Sequence, residues 1–578
     1  MLIEEVKDMV NLKINNEEIE VEAGTTILEA AQKLSYNIPT LCYVEGLSIT
    51  GSCRICVVEI KGQQGLVPAC ATEVRAGMEV LTNSDIVKEV RTSIFELIIA
   101  NHPFDCKLNC LTCSRRASCE LQKVAEEIGV DELEYEFIEK DWDTDTTSLS
   151  VMRENAKCIV CGRCVKACSE IQHLGVLTLT GRGPATKVST FMDKGMGNVD
   201  CANCGQCIAA CPTGAIHEVY HLNGVITALH DPKKHVVVQT APAVRVALGE
   251  EFGMEKGINV EGKMVTALRK MGFDGIFDTN FTADLTIMEE GFEFIDRLNS
   301  GGKLPLITSC SPGWVKFAEH NLDDLDHLST CKSPQQMFGT LTKTFYPKKV
   351  DIDPENVVSV SVMPCTAKKF EGAREEMNSS GYRDVDYVLT TRELAKLIKE
   401  HSIDFVKLDD SEYDNPFGIS TGAAVIFGAT GGVMEAALRT AYEVITEEEL
   451  GDVDFTAVRG LKGIKEAEVE IADQKVKIAV ASGLENAHEL LQRKDEYHFI
   501  EIMACPGGCI GGGGQPISTD KDILEKRRSG LYNVDKVREY RKSHQNPAVQ
   551  ELYTEFLEEP LSEVSHEYLH THYKKREA

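Results

Sequence analysis

The stretch MACPGGCIGGGGQP, residues 503–516, holds two cysteines four positions apart in a segment that is nearly half glycine. The stretch itself contains no histidine or carboxylate to complete an ordinary zinc site. Glycine lets a backbone approach a group where any Cβ would clash. A phosphate-binding loop is the alternative, but no Lys-Ser/Thr pair follows the glycines. The stretch therefore predicts a bulky group held by the thiolates of Cys505 and Cys509.

The composition indicates a large modular protein. The chain has 578 residues, of which 43% are hydrophobic, enough for three or four domains. Its formal charge of −30 argues against nucleic acid or an anionic membrane as partner and permits docking to a basic redox partner. The N-terminus MLIEEVKDMV is acidic, and no apolar run approaches the length of a membrane span, so we expect a cytoplasmic protein. Its 21 cysteines are then expected to be metal ligands or catalysts.

Two copies of one cysteine pattern lie in the middle of the chain. They read CIVCGRCVKAC from residue 158 and CANCGQCIAACP from residue 201. The spacing C-x2-C-x2-C-x3-C is the bacterial ferredoxin arrangement, in which the fourth cysteine binds the cluster of the other copy. The predicted ligand sets are Cys158, Cys161, Cys164 with Cys211, and Cys201, Cys204, Cys207 with Cys168. A zinc ribbon, the alternative, would leave cysteines over in each copy.

Two further cysteine groups precede these copies. The first consists of Cys42, Cys53, Cys56 and Cys70, among short alternating strands and glycine turns. Four thiolates with a close central pair suit a [2Fe-2S] cluster, with a structural zinc as the alternative. The second consists of His102, Cys106, Cys110, Cys113 and Cys119. A neutral imidazole can replace one thiolate on a cluster, although a lone histidine before a proline is more often a cap or a surface residue.

The C-terminal half alternates predicted strands with amphipathic stretches. KHVVVQTAP and VVSVSVMPC have the composition of buried strands, and TTRELAKLIKEH has that of a helix. This alternation favours α/β architecture with parallel sheets, whose loops at the strand ends carry the chemistry. Three such loops carry cysteine: ITSCSPGW with Cys310, MPCTAKKFE with Cys365, and EIMACPGGCIGGGGQP with Cys505 and Cys509.

These motifs together resemble one known family. The N-terminal order of modules is similar both to the large iron-sulfur subunit of respiratory complex I and to the electron-input end of large [FeFe]-hydrogenases. The three C-terminal loops, with TAPAVR and CKSPQQMFG, resemble only [FeFe]-hydrogenase, and the resemblance runs over essentially the whole chain. It implies an H-cluster, which is a [4Fe-4S] cubane joined through one cysteine sulfur to a two-iron centre with carbon monoxide, cyanide and azadithiolate. The family pattern points to Cys509 as the bridging cysteine.

The resemblance also implies a multidomain fold of mixed α/β and α+β class. The expected units are a [2Fe-2S] ferredoxin-like β-grasp domain at 1–87, a His/Cys3 [4Fe-4S] module at 88–128, a two-[4Fe-4S] ferredoxin domain at 145–222, and an α/β H-cluster domain with a helical tail at 226–578. The expected cofactors are one [2Fe-2S] cluster, three [4Fe-4S] clusters and the H-cluster.

Several residues take site roles by the same resemblance. Lys368 would donate a charge-assisted hydrogen bond to a cyanide ligand, where a solvated lysine is the alternative. Lining roles fall to Ala241, Pro242, Met363 and Met503, although core packing is the ordinary role of methionine. Glu290, Glu293 and Arg297 have helical spacing and share one face, which is also typical of a surface ion-pair ladder. In the family pattern they relay protons together with Ser329 and Cys310.

The sequence departs from the family pattern in two places. The first loop usually reads Thr-Ser-Cys-Cys-Pro, but here Ser311 follows Cys310. Ser311 could bind iron as an alkoxide, Cys310 could bind instead, or Cys331 could reach the cubane; we expect Cys310 close to the cluster and Cys331 as the substitute ligand. In the second place, His102-x3-Cys106 and Cys110-x2-Cys113-x5-Cys119 both fit the pattern, so either Cys106 or Cys110 is surplus.

The implied function is reversible conversion of two protons and two electrons to H2. Electrons would come from ferredoxin, or from a flavin-containing subunit that oxidises NAD(P)H and acts with a small [2Fe-2S] subunit, including an electron-bifurcating complex of an anaerobe. The chain lacks a G-x-G-x-x-G fingerprint, so we expect it not to bind the nucleotide itself. The alternatives are a non-hydrogenase electron-transfer subunit and an iron-sulfur assembly scaffold, which should lack the lysine or the acidic relay.

Overall fold

The computed structural model describes residues 8–102, 113, 115, 118–130, 135, 142–471 and 474–577. The N-terminal elements are β1 Met9–Ile14, β2 Glu17–Glu22, α1 Ile27–Lys33, β3 Val57–Ile60, β4 Val67–Pro68, β5 Glu79–Leu81 and α2 Asp85–Ile99. The five strands form one sheet in the order β2-β1-β5-β3-β4. Thr26 caps the N-terminus of α1, and its side chain and that of Glu29 form a capping box. A helix packed on a small mixed sheet matches the predicted ferredoxin-like unit.

The cysteine-rich middle of the chain has short elements. They are α3 Glu120–Ile128, β6 Thr144–Asp145, β7 Val151–Glu154, α4 Arg163–Lys166, β8 Thr178–Thr180, β9 Lys187–Ser189, α5 Gln206–Ala210 and β10 Ile216–Glu218. Helices α4 and α5 occupy equivalent places in the two ferredoxin copies. Each begins after a glycine in the left-handed region, Gly162 (φ 78°) and Gly205 (φ 74°), a conformation that favours glycine.

The C-terminal half contains two four-stranded sheets flanked by helices. Its elements to the last strand are α6 Leu222–His230, β11 His235–Thr240, α7 Glu261–Lys270, β12 Gly275–Asp278, α8 Thr279–Ser300, β13 Leu306–Ile307, α9 Pro312–Asn321, α10 Pro334–Thr344, α11 Tyr346–Val350, β14 Val357–Met363, α12 Ala367–Glu371, β15 Tyr387–Thr390, α13 Thr391–Glu400, α14 Gly422–Ile426, α15 Gly432–Thr446, β16 Ile464–Ile471, β17 Gln474–Ser482, α16 Leu484–Leu491 and β18 Phe499–Met503. The predicted strands around 235–240 and 357–363 and the predicted helix around 391–400 are confirmed.

The two sheets have the orders β12-β11-β14-β15 and β13-β18-β17-β16. The first is parallel throughout. In the second, β13, β18 and β17 run parallel and β16 runs antiparallel to β17, which departs from the all-parallel expectation. A nearly continuous apolar strand such as β14, buried along its whole length, is typical of a sheet covered on both faces.

The chain ends in a helical segment that returns to the first half of this domain. Its helices are α17 Ile523–Val537, α18 Pro547–Leu552 and α19 Glu563–Leu569. After α19 the backbone forms a β-bridge between His570 and Cys331. Lys332 N donates to Leu569 O at 2.8 Å, and Thr571 N donates to Thr330 O at 2.7 Å. The C-terminal segment thereby pairs with the turn before α10.

No helix among the described residues combines the length and the apolar character needed to cross a membrane.

Candidate active site

The three cysteine-bearing loops meet because four parallel strands end at one place. Strands β11 and β14 are adjacent, so Ala241 and Met363 leave the first sheet side by side. Strands β13 and β18 are adjacent in the second sheet, so Cys310 and Cys505 follow the same edge. Carboxyl ends of parallel strands are where α/β proteins bind ligands. Between them lies a partly open cavity with about 820 Å³ of atom-free space, the solvent at its mouth included.

The cavity is lined by thiols on a mostly apolar wall. Its sulfur donors are Cys310, Cys365, Cys505 and Cys509, and Cys204 of the second ferredoxin copy also reaches it. The predicted lining residues Ala241, Pro242, Met363 and Met503 are all on the wall, together with Ser311 and Lys368.

The donor set suits a cationic iron cluster. Burial raises the pKa of the Cys365 thiol, and it raises the pKa of Cys509 to about 12, with the neighbouring Cys365 charge adding to the effect. Burial also raises the pKa of Cys505. Buried thiols of this kind become thiolates only when a metal replaces the proton. Several such thiols around one apolar cavity fit a large sulfur-ligated cluster.

Lys368 points into this cavity as a buried cation. Its Nζ donates to Glu371 at 3.0 and 2.9 Å and to the carbonyl oxygen of Cys310 at 3.1 Å. Glu371 is held in turn by Ser333 and Gln335, each donating at 2.9 Å. A charged amine fixed by a buried carboxylate is a preorganised donor for an anionic group in the cavity. The solvated-lysine alternative does not describe this residue, which is 8% exposed.

The glycines of the third loop pack against backbone. A Cβ on Gly512 would lie 2.2 Å from the carbonyl oxygen of Pro364, in the second loop. One on Gly513 would lie 2.3 Å from the carbonyl oxygen of Cys204. Gln206 Nε2 also donates to Gly511 O at 3.0 Å. The close approach predicted from the glycines is therefore, in the structure, an approach to the second loop and to the ferredoxin unit.

A chain of polar residues leads from the cavity towards α8. Glu290 is fully buried, and burial raises the pKa of its carboxyl to about 8. The Glu290 carboxylate, when it ionises, contributes to the raised pKa of Cys310, after burial itself. Glu293 accepts from Ser329 Oγ at 2.9 Å and from Arg297 Nη2 at 2.6 Å. The predicted relay residues thus lie together in the interior, whereas a surface ladder would be exposed.

Cys331 lies on this polar side. It is absent from the cavity wall as the structure describes it. Its Sγ lies 3.6 Å from Glu293 Oε2 and 4.0 Å from His570 Nδ1. The Cys331 backbone is fixed by the β-bridge to His570 and by Ser309 Oγ of the first loop, which donates to the Cys331 carbonyl oxygen at 2.8 Å. Its thiol faces Glu293 and His570 and does not line the cavity. The geometry therefore does not support the expectation that Cys331 substitutes as a cubane ligand.

Ser311 takes the position that the family pattern gives to a cysteine. It precedes α9 and lines the cavity. Its Oγ accepts from Ala504 N, next to Cys505, at 3.2 Å. That hydrogen bond would favour a negative charge on the oxygen.

The ferredoxin thiols group as their spacing predicts. Cys158, Cys161, Cys164 and Cys211 line one small cavity. After burial, the nearby charges of Cys201 and Cys168 raise the pKa of Cys207. In the N-terminal unit, Cys56 Sγ and Cys70 Sγ are 3.4 Å apart, and hydrogen bonds from the thiols of Cys53 and Cys70 lower the pKa of Cys42.

The structure describes three of the five residues of the His/Cys3 group. His102, Cys113 and Cys119 are buried. Cys106 and Cys110 lie outside the described residues. Glu120 N, next to Cys119, donates to Pro212 O at 3.0 Å, so this group contacts the ferredoxin unit directly.

Two buried carboxylates of the site are not among the predicted residues. Glu371 follows Lys368 by one helical turn, a spacing that could have indicated the ion pair. Glu501 lies inside strand β18, where a single charge in the apolar run FIEIM is the signal. It accepts from Gly431 N at 2.7 Å and Met434 N at 2.8 Å, and burial raises its pKa.

Sequence profiles of known families match almost the whole chain. The matches are the C-terminal domain of the iron only hydrogenase large subunit at 234–513, the iron hydrogenase small subunit at 521–576, a 2Fe-2S iron-sulfur cluster binding domain at 7–85, the NADH-ubiquinone oxidoreductase-G iron-sulfur binding region at 91–134, and a 4Fe-4S dicluster domain at 157–215.

Individual proteins agree with these matches. The NADP-reducing hydrogenase subunit HndD of Solidesulfovibrio fructosivorans is 51% identical over 98% of this chain and 99% of its own length. Iron hydrogenase 1 of Clostridium pasteurianum is 44% identical over 98% of this chain and 100% of its own length. The solved structure of an apo [FeFe]-hydrogenase variant from Chlamydomonas reinhardtii is 42% identical, covers 62% of this chain and 99% of its own, and superposes with a TM-score of 0.56.

Proposed function

This chain belongs to the [FeFe]-hydrogenase family as a catalytic large subunit, and on that premise we propose how its residues divide the work. The thiol-lined cavity holds the H-cluster, the polar residues from Cys310 to Glu293 carry protons, and the N-terminal cysteine groups carry electrons. The observation that carries the proposal is that parts of all three functions line one cavity. Lys368 belongs to the cluster-holding part, Cys310 to the proton route and Cys204 to the electron route.

The cluster-holding residues are proposed to be Cys365, Cys505, Cys509 and Ser311. The position of Ser311 on the wall and the donor from Ala504 N support its role as the fourth ligand of the cubane. When bound, the H-cluster supplies an open iron site at which H2 is split or formed. Lys368 would orient it through a charge-assisted hydrogen bond, while Ala241, Pro242, Met363 and Met503 exclude water from it.

Protons are proposed to move along the buried side chains. Cys310 Sγ would exchange a proton with the Glu290 carboxyl, whose raised pKa lets it donate or accept near neutral pH. Ser329 would connect Glu290 to Glu293, because its hydroxyl donates to Glu293 and can accept from Glu290. Arg297 would act by fixing the position of Glu293, to which its guanidinium donates.

Electrons are proposed to pass from the N-terminal clusters through the second ferredoxin copy. The support is physical contact at each step. Ser48 N, between the [2Fe-2S] cysteines, donates to Glu170 of the ferredoxin unit at 2.7 Å. Glu120 contacts Pro212, and Cys204 reaches the cavity. One [2Fe-2S] and three [4Fe-4S] clusters, one of them with His102 as a ligand, complete the proposed set. The boundaries 1–87, 88–128, 145–222 and 226–578 and the cytoplasmic location stay predictions.

Glu293→Gln tests the proton route. We expect H2 turnover to fall by roughly 10²-fold or more, the usual contribution of one proton-transferring side chain. Gln can still accept from Ser329 but cannot exchange a proton, so iron content and cluster spectra should not change. The measurement is H2 uptake with a low-potential dye over a range of pH. Asp296→Asn, on the exposed face of the same helix, is the matched control and should keep the native rate. A native rate in Glu293→Gln at every pH would reject the route.

The electron partner is proposed to be a flavin-containing NADP(H) subunit with a small [2Fe-2S] subunit. The similarity to the NADP-reducing hydrogenase subunit supports this choice over soluble ferredoxin. We expect native, anaerobic purification to recover a flavoprotein with this chain, and NADP⁺ reduction by H2 to require that partner. The chain alone should reduce only dyes. Full activity of the isolated chain towards ferredoxin, with no flavoprotein recovered, would favour the simpler partner.

A further inference from the structure

Three side chains on the polar side of the site form a donor cluster, of which the proposed proton route uses only the first. They are Glu293 on α8, Cys331 in the turn before α10, and His570 after α19. One ligand atom of each lies within 4.8 Å of the other two. Cys331 is 1% exposed, and Glu293 and His570 are each 8% exposed. The C-terminal segment completes this cluster, since its β-bridge brings His570 against Cys331.

The spacing of the donors suits a tetrahedral cation. Bonds of about 2.3 Å to sulfur and about 2.0 Å to nitrogen or oxygen place the ligand atoms of Zn²⁺ roughly 3.3–3.7 Å apart. Cys331 Sγ lies 3.6 Å from Glu293 Oε2 and 4.0 Å from His570 Nδ1. The two distances to sulfur are therefore within a few tenths of an ångström of those in a zinc site, and the carboxylate and imidazole atoms, which lie within 4.8 Å of each other, would move together on binding. Water or the exposed His566, whose ring centroid is 4.3 Å from that of His570, can take the fourth position.

The histidine is already held as a metal ligand would be. Its Nε2 lies 3.0 Å from Glu289 Oε2, and Tyr553 OH donates to the other Glu289 oxygen at 2.6 Å. A carboxylate on the far nitrogen fixes the ring and directs the near nitrogen towards the metal. Here the near nitrogen, Nδ1, faces Cys331 and the Thr330 hydroxyl, which lies at 2.8 Å and would be displaced by an ion.

The charges also balance. When Cys331 loses its proton, the three ligands are a thiolate, the Glu293 carboxylate and a neutral imidazole. Their two negative charges would neutralise one divalent cation in a buried place. Arg297 keeps its bond to Glu293 Oε1, because the cation would use Oε2. Sulfur and nitrogen donors select Zn²⁺ or Cd²⁺ over Mg²⁺ and Ca²⁺, which prefer oxygen.

We propose that Glu293, Cys331 and His570 form a binding site for Zn²⁺ and similar soft divalent cations, and that an ion bound there stops proton transfer. Binding releases the Cys331 thiol proton to solvent and changes no oxidation state. It occupies Glu293 Oε2, to which Ser329 donates, and so interrupts the route between Glu293 and Glu290. The inhibition, though not the binding, rests on the proton route proposed above.

Binding and inhibition are measured separately on the fully matured holoenzyme. Crystals soaked in Zn²⁺ should give an anomalous scattering peak between Cys331 Sγ and His570 Nδ1, with iron content unchanged. In solution, Zn²⁺ should inhibit H2 uptake, a chelator should restore it, and Mg²⁺ should have no effect. Inhibition in Cys331→Ala and His570→Gln is expressed relative to each variant's zinc-free rate. The Zn²⁺ concentration for half-inhibition should rise by more than about 10–100-fold, because that is the cost of losing only an outer partner of a metal ligand.

His488→Gln is the control for adventitious binding to an exposed histidine, and it should be inhibited like the native enzyme. Absence of the anomalous peak at Cys331 would overturn the site. A peak there without inhibition would overturn the blocking role and would also count against the proposed proton route. Equal inhibition of the native enzyme and both ligand variants would place the inhibitory ion elsewhere and reject the proposal.

Discussion

Cys310→Ala is expected to lower H2 turnover by about 10²–10⁴-fold, the range for loss of a positioned proton-transferring group. Burial raises the pKa of the Cys310 thiol, and the charge of Glu290 is the neighbouring charge that raises it most. No other described thiol of the cavity wall has Glu290 in this position. Cys310 therefore stands between the cavity and the polar route. Alanine removes the exchangeable proton and leaves Cys365, Cys505 and Cys509 in place. The rate is measured as H2 uptake and evolution with a low-potential dye.

Ser311→Ala separates the proton role from ligation. If Ser311 is the fourth ligand, this variant should lose or alter the electron paramagnetic resonance signal of the cubane, whereas Cys310→Ala should keep it. Ser311→Cys, which restores the usual soft ligand, should retain the cubane. The opposite pattern, a lost signal in Cys310→Ala and a native one in Ser311→Ala, would make Cys310 the ligand and transfer the proton step to another residue.

Lys368→Met is expected to reduce H2 turnover by about 10²–10³-fold or more, because removing one preorganised donor from an active site has an effect of that size. Methionine keeps most of the volume of the stem but leaves Glu371 without its buried cation, so the anchoring of the two-iron centre should suffer as well. The ferredoxin clusters lie in another unit and should stay bound. The checks are H2 turnover, iron content, and the infrared bands of carbon monoxide and cyanide.

Lys396→Met, on the exposed face of α13, is the matched control for this substitution and should leave turnover and the infrared bands unchanged. Native turnover in Lys368→Met would return Lys368 to a purely structural ion pair with Glu371. Loss of the ferredoxin signals along with activity would show general unfolding, and would likewise contradict the proposed role.

Much of this protein could be predicted from local patterns. The geometry of a cubane dictates the spacing of cysteines within each ferredoxin copy, which is a local pattern. That pattern predicts that Cys211 joins the first copy's cysteines and Cys168 the second copy's. The strands β11 and β14 and the capped helix α13 carry their composition and capping signals in the sequence. The three loops could be placed at one site because parallel strands end at a common edge.

What only the tertiary structure decided depends on residues far apart in sequence. Cys331 is more than twenty positions from Cys310, and its side of the molecule is chosen by a β-bridge to His570, beyond any local pattern. Glu501 is buried by backbone donors from residues 431 and 434, and the third loop's glycines meet Pro364 and Cys204. The sequence by itself indicated which cysteine groups are spaced to bind clusters and which family the chain resembles, because thiolate spacing is a local property. The fold alone decided which carboxylates, thiols and histidines become neighbours, because that depends on long-range packing of whole elements.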